Sequence, residues 1–107
     1  MDINRVENSR EATLVEAKEI LLDIDRDFRF YGWILCLYGS VLSGRGRDID
    51  LLAVPWRPMA DVEAACRSLM NRQKATQVGL EYRGLMGTRS FLFLTEDGLI
   101  LDVQFRT

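Results

Sequence analysis

The chain has 107 residues, of which 48% are hydrophobic and 28% charged, with a formal net charge of −2 and no histidine. This size and composition predict one globular domain spanning residues 1–107, with enough apolar side chains for a single core. The slightly negative charge argues against a protein held on nucleic acid by bulk electrostatics, and the lack of histidine disfavours a zinc site.

The N-terminal part of the chain predicts an amphipathic helix over residues 9–28. Apolar residues recur there at spacings of three and four, which places them on one helical face. Asn8 or Ser9 is suited to cap this helix. Glu11 follows Asn8 by three residues, as in a capping box.

Five runs of apolar or alternating residues predict strands. They are bounded by glycine, proline or Asp-Gly, which interrupt regular structure. The predicted strands cover residues 33–38, 48–54, 77–83, 89–95 and 99–106. The last two are expected to form a hairpin closed at Asp97-Gly98, a favoured tight-turn pair.

A second helix is predicted between the second and third strands. Pro55 ends the second strand, and Pro58 suits the first turn of a helix that runs to about Lys74. The predicted order is helix, strand, turn or short helix, strand, helix and three strands. This order indicates an α/β (α+β) fold, with a mixed sheet of about five strands and helices packed on one side.

The sequence favours a cytoplasmic protein that does not contact a membrane. The longest uncharged run, residues 30–44, is too short and too polar to span a bilayer, and the charged N-terminus is unlike a signal peptide. The two cysteines, Cys36 and Cys66, lie in apolar patterns, so we interpret both as reduced thiols in the core.

Three aspartates interrupt strands that are otherwise apolar. Because side chains alternate along a strand, Asp48 and Asp50 share one face of the second predicted strand. In the last strand Asp102 lies on the face opposite to Leu101 and Val103. If the two strands are neighbours, the three carboxylates form one cluster. An Asp-x-Asp pattern alone is short and common, and it often only faces water.

A cluster of three carboxylates predicts a divalent cation. Carboxylates this close repel one another, so at least one takes up a proton unless a cation lies between them. Mg²⁺ prefers oxygen ligands, and two such ions can bind the attacking and leaving oxygens of a phosphoryl displacement. The sequence therefore predicts an Mg²⁺ or Mn²⁺ site formed by Asp48, Asp50 and Asp102.

A Gly-Ser pair lies between the first predicted strand and the Asp-x-Asp strand. Glycine at position 39 lets the backbone approach a phosphate, and the Ser40 hydroxyl can donate a hydrogen bond to one. Together, LYGSVLSGRGRDIDLLAV at 37–54 and LILDVQF at 99–105 resemble the nucleotidyltransferase superfamily that includes DNA polymerase β. The resemblance covers residues 33–105, which is most of the chain.

The resemblance implies a nucleotidyltransferase fold and the transfer of a nucleoside monophosphate to an acceptor, with release of pyrophosphate. By position, Gly39 and Ser40 would contact the triphosphate, and Asp48 and Asp50 would bind divalent ions. Asp102 would join the ion next to the attacking hydroxyl and help to activate it.

The loop between the two halves of the motif departs from the family pattern. It holds seven residues, Val41 to Arg47, which is shorter than usual, and Arg47 stands where a small polar residue is common. A shortened loop could misplace Ser40 relative to the metals. The guanidinium groups of Arg45 and Arg47 suit phosphate oxygens but equally suit a solvated loop.

Several functions therefore stay open. The leading hypothesis is a minimal stand-alone nucleotidyltransferase that uses a nucleoside triphosphate and a protein hydroxyl, a small molecule or an RNA end as acceptor. Small members of the family often work beside a separate helical protein, so we expect a homo-oligomer or a helical partner protein. The alternatives are a non-catalytic binding module with this fold, such as an antitoxin-like partner, and a structural subunit.

Overall fold

The structure is a computed structural model that describes residues 9–107. It confirms the predicted α+β architecture, with two helices packed against a mixed sheet of six strands. The elements are β1 (Ala12–Thr13), α1 (Leu14–Phe30), β2 (Trp33–Tyr38), β3 (Arg45–Gly46), β4 (Ile49–Pro55), α2 (Val62–Gln73), β5 (Ala75–Gln77), β6 (Tyr82–Arg83), β7 (Arg89–Thr95) and β8 (Ile100–Phe105). Short 3₁₀ turns lie at Ser40–Ser43 and Leu85–Gly87.

The sheet brings the two aspartate-bearing strands side by side. Its order is β2-β4-β8-β7-β5, and β6 also pairs with β7. Strands β4 and β8 are parallel, whereas the other neighbours in this sheet are antiparallel. β1 and β3 form a separate small ladder. The neighbouring strands required for a carboxylate cluster are therefore present.

Both helices cover the same face of the sheet, and the core lies between them and the strands. Alternate residues of β4 and β8 point into this core, where Phe105 stacks on Phe28 and meets the edge of Trp33, with ring centroids 5.9 and 4.9 Å apart. Each large apolar side chain buried there contributes about 1.5–3 kcal/mol. The alternation expected from the sequence is confirmed in both strands.

Helix α1 starts later than predicted, at Leu14 instead of residue 9. Thr13 is its N-cap. The Thr13 hydroxyl accepts from the Glu16 N–H at 3.2 Å, and the Glu16 carboxylate accepts from the Thr13 N–H at 3.0 Å. The prediction of Ser9 as a cap was wrong, because Ala12 and Thr13 pair with β3 and do not form the first turn of a helix. Asn8 lies outside the described residues.

Helix α2 also begins later than predicted. Asp61 caps it by accepting from the Ala64 N–H at 3.0 Å, so Pro58 lies in the preceding loop. In that loop Met59 has a positive φ of 60°, which is incompatible with a helix. The helix ends at Gln73, one residue before the predicted end.

The two predictions for the second half of the sheet were partly wrong. The strand expected over 77–83 is divided into β5 and β6, because Gly79 turns the chain with a φ of 72°. The β7–β8 hairpin has a three-residue loop in place of a two-residue turn. Its Gly98 has a φ of 93°, as in a type I turn followed by a bulge.

The two cysteines differ in environment. Cys66 is buried in the core as predicted, but Cys36 is exposed, so its assignment to the core was wrong. Cys36 pairs with Leu52 on the face of the sheet that the helices do not cover. Within residues 9–107, neither helix has the length and apolar character needed to cross a bilayer.

Candidate active site

The face of the sheet opposite the helices carries polar side chains between β2 and β8. We call it the helix-free face and define it by Tyr38, Asp50, Leu52, Asp102 and Gln104. Residues directly opposite one another in a ladder share a face. Asp50 pairs with both Tyr38 and Asp102, and Leu52 pairs with Gln104.

The three predicted acids converge on this face. Asp50 and Asp102 are in register across the parallel β4–β8 pair, and Asp48 lies immediately before β4. One carboxylate oxygen from each residue lies within 4.8 Å of those of the other two. All three side chains are partly buried.

Proximity and burial change the acidity of two of these carboxyl groups. Burial is the main cause that raises the pKa of Asp50 to about 7, and contact with Asp48 and repulsion from Asp48 and Asp102 add to it. Burial likewise raises the pKa of Asp102, against the opposing effect of its hydrogen bond with Tyr82. Without a cation, the cluster therefore retains protons at pH values where an exposed aspartate is ionised.

The Gly39-Ser40 pair lies directly beside the cluster. Gly39 has a φ of 87°, and a Cβ at this position would overlap the Asp50 carboxylate, so a residue with a side chain does not fit there. Ser40 is exposed and begins the 3₁₀ turn, as predicted, where the first N–H groups lack partners within the turn.

The short loop is folded tightly onto this turn. A Cβ at Gly46 would lie 2.7 Å from the Ser40 Oγ, so this glycine permits the close approach of β3 to the turn. Strand β3 in turn pairs with β1, and the Leu14 N–H donates to the Gly44 carbonyl at 2.9 Å. The small ladder therefore fixes the position of Ser40 despite the loop's short length.

The two arginines of the loop are not brought to the acids. Arg45 is exposed and lies 3.9 Å from the Glu11 carboxylate, and Arg47 is also exposed. Among residues 9–107, neither forms an ion pair with the three aspartates. Their predicted contact with phosphate stays a prediction.

Two tyrosines belong to the site and were missed in the sequence. The Tyr82 hydroxyl donates a 2.6 Å hydrogen bond to Asp102, and Tyr38 lies opposite Asp50. Burial first, and then the charge of the nearby aspartates, raises the pKa of Tyr38 to about 12. Burial and the bond to Asp102 raise the pKa of Tyr82. Tyr38 could have been found by pairing the first two strands, but no local pattern indicates Tyr82.

A cleft of about 560 Å³ adjoins the acids on the helix-free face. Its lining includes Tyr38, Leu52, Thr88, Gln104 and Arg106. The Thr88 hydroxyl donates to the Gln104 carbonyl oxygen at 3.0 Å, which holds this buried amide in place. A cleft of this size suits a nucleoside or another small organic group.

The turn and the cleft lie on opposite sides of the carboxylate cluster. Ser40 follows Tyr38 at the end where β4 begins, next to Asp48. Leu52 and Gln104 lie two residues further along β4 and β8, in the opposite direction. The face therefore has a phosphate-compatible turn on one side of the acids and an organic pocket on the other.

The donor set fits a hard divalent cation. Carboxylate oxygens from three side chains meet beside a partly buried cleft, and Mg²⁺ and Mn²⁺ take such oxygens together with water and phosphate. The sequence matches no protein-family model and shows no significant match to a curated protein. The function is therefore inferred from the geometry of this site.

Proposed function

We propose that the chain is a metal-dependent nucleotidyltransferase. It transfers a nucleoside monophosphate from a nucleoside triphosphate to an acceptor hydroxyl and releases pyrophosphate. The observation that carries this proposal is the convergence of Asp48, Asp50 and Asp102 beside the Gly39-Ser40 turn. Either feature alone is common, but their combination provides both an ion site and a phosphate site.

Asp48, Asp50 and Asp102 are the residues that would hold Mg²⁺ or Mn²⁺. When bound, such ions neutralise charge on the transferred phosphoryl group and on the leaving pyrophosphate. Burial and the neighbouring carboxylates raise the pKa of Asp50 to about 7, so this group is only partly ionised near neutral pH without a cation. A bound cation would therefore offset the repulsion among the three carboxylates, which otherwise destabilises the folded protein.

The other groups divide between the two sides of the cluster. The Ser40 hydroxyl and the N–H groups of its turn suit the triphosphate. Asp102 lies on the strand nearer to Tyr82 and is suited to accept the proton of the attacking hydroxyl. An in-line displacement requires the acceptor to approach from the side opposite the pyrophosphate.

A partner surface is compatible with this proposal. Phe30 and Trp56 are 73% and 54% exposed, and the Trp56 indole donates to the carbonyl of Arg29, next to Phe30. A homo-oligomer or a helical partner protein that covers these side chains would remove apolar area from water. Trp56 follows the end of β4 away from Asp48, and we propose that such a partner docks at that end of the sheet. The acceptor is a protein hydroxyl, a small molecule or an RNA end.

Nucleotide binding tests the proposal even while the acceptor is unidentified. We expect a nucleoside triphosphate with Mn²⁺ to raise the melting temperature of the wild-type chain, because a ligand that binds only the folded state stabilises it. Ser40→Ala should weaken this effect. Ser43→Ala, which changes an exposed serine at the other end of the same turn, is the matched control.

Transfer itself is tested by incubation of the protein with Mg²⁺, each labelled nucleoside triphosphate and a cell lysate. If a macromolecule or a small molecule becomes labelled, and the labelling requires Asp50, the result would support the proposal and identify the acceptor class. Wild-type protein that binds neither Mn²⁺ nor a triphosphate would contradict it.

A further inference from the structure

An acceptor hydroxyl in this site has to meet two conditions. It must lie within hydrogen-bond distance of the carboxylate that takes its proton. It must also approach from the side of the cluster opposite the triphosphate, because the pyrophosphate leaves in line with the attack. One hydroxyl of the chain itself meets both conditions.

The Tyr82 hydroxyl meets the first condition. It lies 2.6 Å from the Asp102 carboxylate. Among residues 9–107, no other side-chain hydroxyl donates a hydrogen bond to Asp48, Asp50 or Asp102. A phenol that already donates to the carboxylate needs no solvent to be displaced before its proton moves.

The position of Tyr82 in the sheet meets the second condition. Tyr82 pairs with Ser90, which pairs with Gln104. Gln104 lies two residues beyond Asp102, in the direction away from Ser40. The phenol therefore reaches Asp102 from the cleft side of the cluster, opposite the turn suited to the triphosphate.

The backbone around Tyr82 is held in place by several contacts. Arg89 forms an ion pair of 2.8 Å with Glu81, the residue before Tyr82. The Gly84 N–H donates to the Thr88 carbonyl at 3.0 Å, and a Cβ at Gly84 would lie 2.6 Å from the Gln104 carbonyl oxygen. These contacts fix the phenol before any substrate binds, and such preorganisation lowers the barrier to transfer.

We propose that Tyr82 is a self-modification site, which accepts a nucleoside monophosphate from the triphosphate bound in its own chain. The Tyr82 oxygen forms a bond to the α-phosphorus, and the bond from this phosphorus to the oxygen of the β-phosphate breaks. The electron pair leaves with pyrophosphate, and the phenolic proton passes to Asp102. The product is a phosphodiester between tyrosine and the nucleoside. This inference rests on the proposed function.

The product occupies the acceptor side of the site, so the reaction stops after one transfer per chain. It also occurs within one molecule, so its rate constant should not change when the protein is diluted. A transfer between two molecules would slow down on dilution. These two properties separate modification in cis from general labelling of exposed hydroxyl groups.

The experiment is intact-protein mass spectrometry of the full chain after incubation with each ribonucleoside triphosphate and Mn²⁺. We expect a gain of one nucleoside monophosphate per chain, assigned to Tyr82 by tandem mass spectrometry. Tyr82→Phe should lose this gain entirely while Mn²⁺ still raises its melting temperature, because the three carboxylates remain. Tyr31→Phe, a change in a tyrosine at the end of α1, should be modified like the wild type.

The alternative outcomes distinguish this inference from the proposed function. If lysate molecules are labelled but Tyr82 is not, self-modification is overturned and the transferase proposal stands. If, in addition, the Tyr82→Phe variant labels lysate molecules faster than the wild type does, the Tyr82 phenol only occupies the position that the acceptor hydroxyl needs. Modification at another residue also overturns the inference. If Mn²⁺ and triphosphate have no effect on the wild type, both proposals fail.

Discussion

Asp50 combines features that oppose stability with features that suit a functional site. Its carboxyl group is partly buried beside two other carboxyl groups, and its pKa of about 7 reflects this environment. Near neutral pH its ionised form therefore costs folding free energy, since the unfolded chain exposes the same group to water. Binding of a divalent cation is the property that would offset this cost.

We expect Asp50→Asn to stabilise the ion-free protein at pH 7 while it abolishes stabilisation by Mn²⁺. The neutral amide removes the cost of burying a charge and then the repulsion, and the gain is on the order of 1 kcal/mol because solvent screens a partly open group. Urea unfolding with and without Mn²⁺ measures both effects. Glu96→Gln, at an exposed position in the hairpin loop, should change neither. A strongly destabilised Asp50→Asn protein would instead assign Asp50 a structural role.

A comparison of two glycines separates backbone strain from obstruction of the site. Gly39 and Gly44 both have a positive φ, of 87° and 114°, but only a Cβ at Gly39 would overlap the Asp50 carboxylate. We expect alanine to destabilise the protein by about 1–3 kcal/mol at either position because of the backbone conformation. Only Gly39→Ala should lose the Mn²⁺-dependent rise in melting temperature. An equal loss in Gly44→Ala would argue against a local effect on the carboxylates.

At the scale of the elements, the sequence predicts strands better than helix starts. The bounds predicted for 33–38 and 89–95 agree with β2 and β7, because apolar runs bounded by glycine or polar residues define a buried strand well. The start of α1 was wrong because its N-terminal segment pairs with the distant strand β3. Such a long-range contact leaves no signal in the local sequence. The capping-box pattern of Asn8 and Glu11 instead favoured a helix start that is too early.

The same distinction applies to the site. Alternation along single strands predicts that Asp48 and Asp50 share a face and that Asp102 faces away from the core. The cluster also requires that β4 and β8 are neighbours. The sequence pattern does not predict this pairing, so it had to be assumed. Tyr82 lies on a two-residue strand that was predicted as part of a longer one. Its bond to Asp102 depends on the order of β6, β7 and β8 alone.

We expect Thr13→Ala to destabilise the protein by about 1 kcal/mol, since the substitution removes the hydroxyl that caps α1 and half of its capping box. Ser9→Ala, at the position that the sequence favours as a cap, should have no measurable effect. Urea denaturation of both variants measures the difference. Equal destabilisation by the two substitutions would place the start of the helix earlier in the chain than Leu14.

At the scale of the whole molecule, the two faces of the sheet have different tasks. Both helices pack on one face, where Ile49, Leu51, Leu101, Val103 and Phe105 are buried. The other face is free of helices and carries the carboxylates, the two tyrosines and the cleft. Apolar burial on the first face therefore stabilises the fold enough to offset the repulsion between carboxylates on the second face.

The dependence of stability on pH should report the state of the carboxylate cluster in the ion-free protein. The folded-state pKa of Asp50, about 7, lies above the ordinary aspartate value of 3.8. Between these values the folded chain holds a proton that the unfolded chain has released. Stability should therefore fall as pH rises through this window, by at most about 1.4 kcal/mol per pH unit for one proton.

Other carboxyl groups change stability in the opposite direction, but at lower pH. Ion pairs and hydrogen bonds lower the pKa of Glu16, Asp27 and Asp97, so these groups stabilise the fold once the pH exceeds their unfolded values. The range from about pH 5 to 7 therefore isolates the cluster. There we expect the wild-type melting temperature to fall with rising pH without ions and to recover with Mg²⁺, whereas Asp50→Asn should give a flatter profile that Mg²⁺ does not change. A wild-type profile as flat as that of the variant would show that the folded protein does not raise the pKa of Asp50.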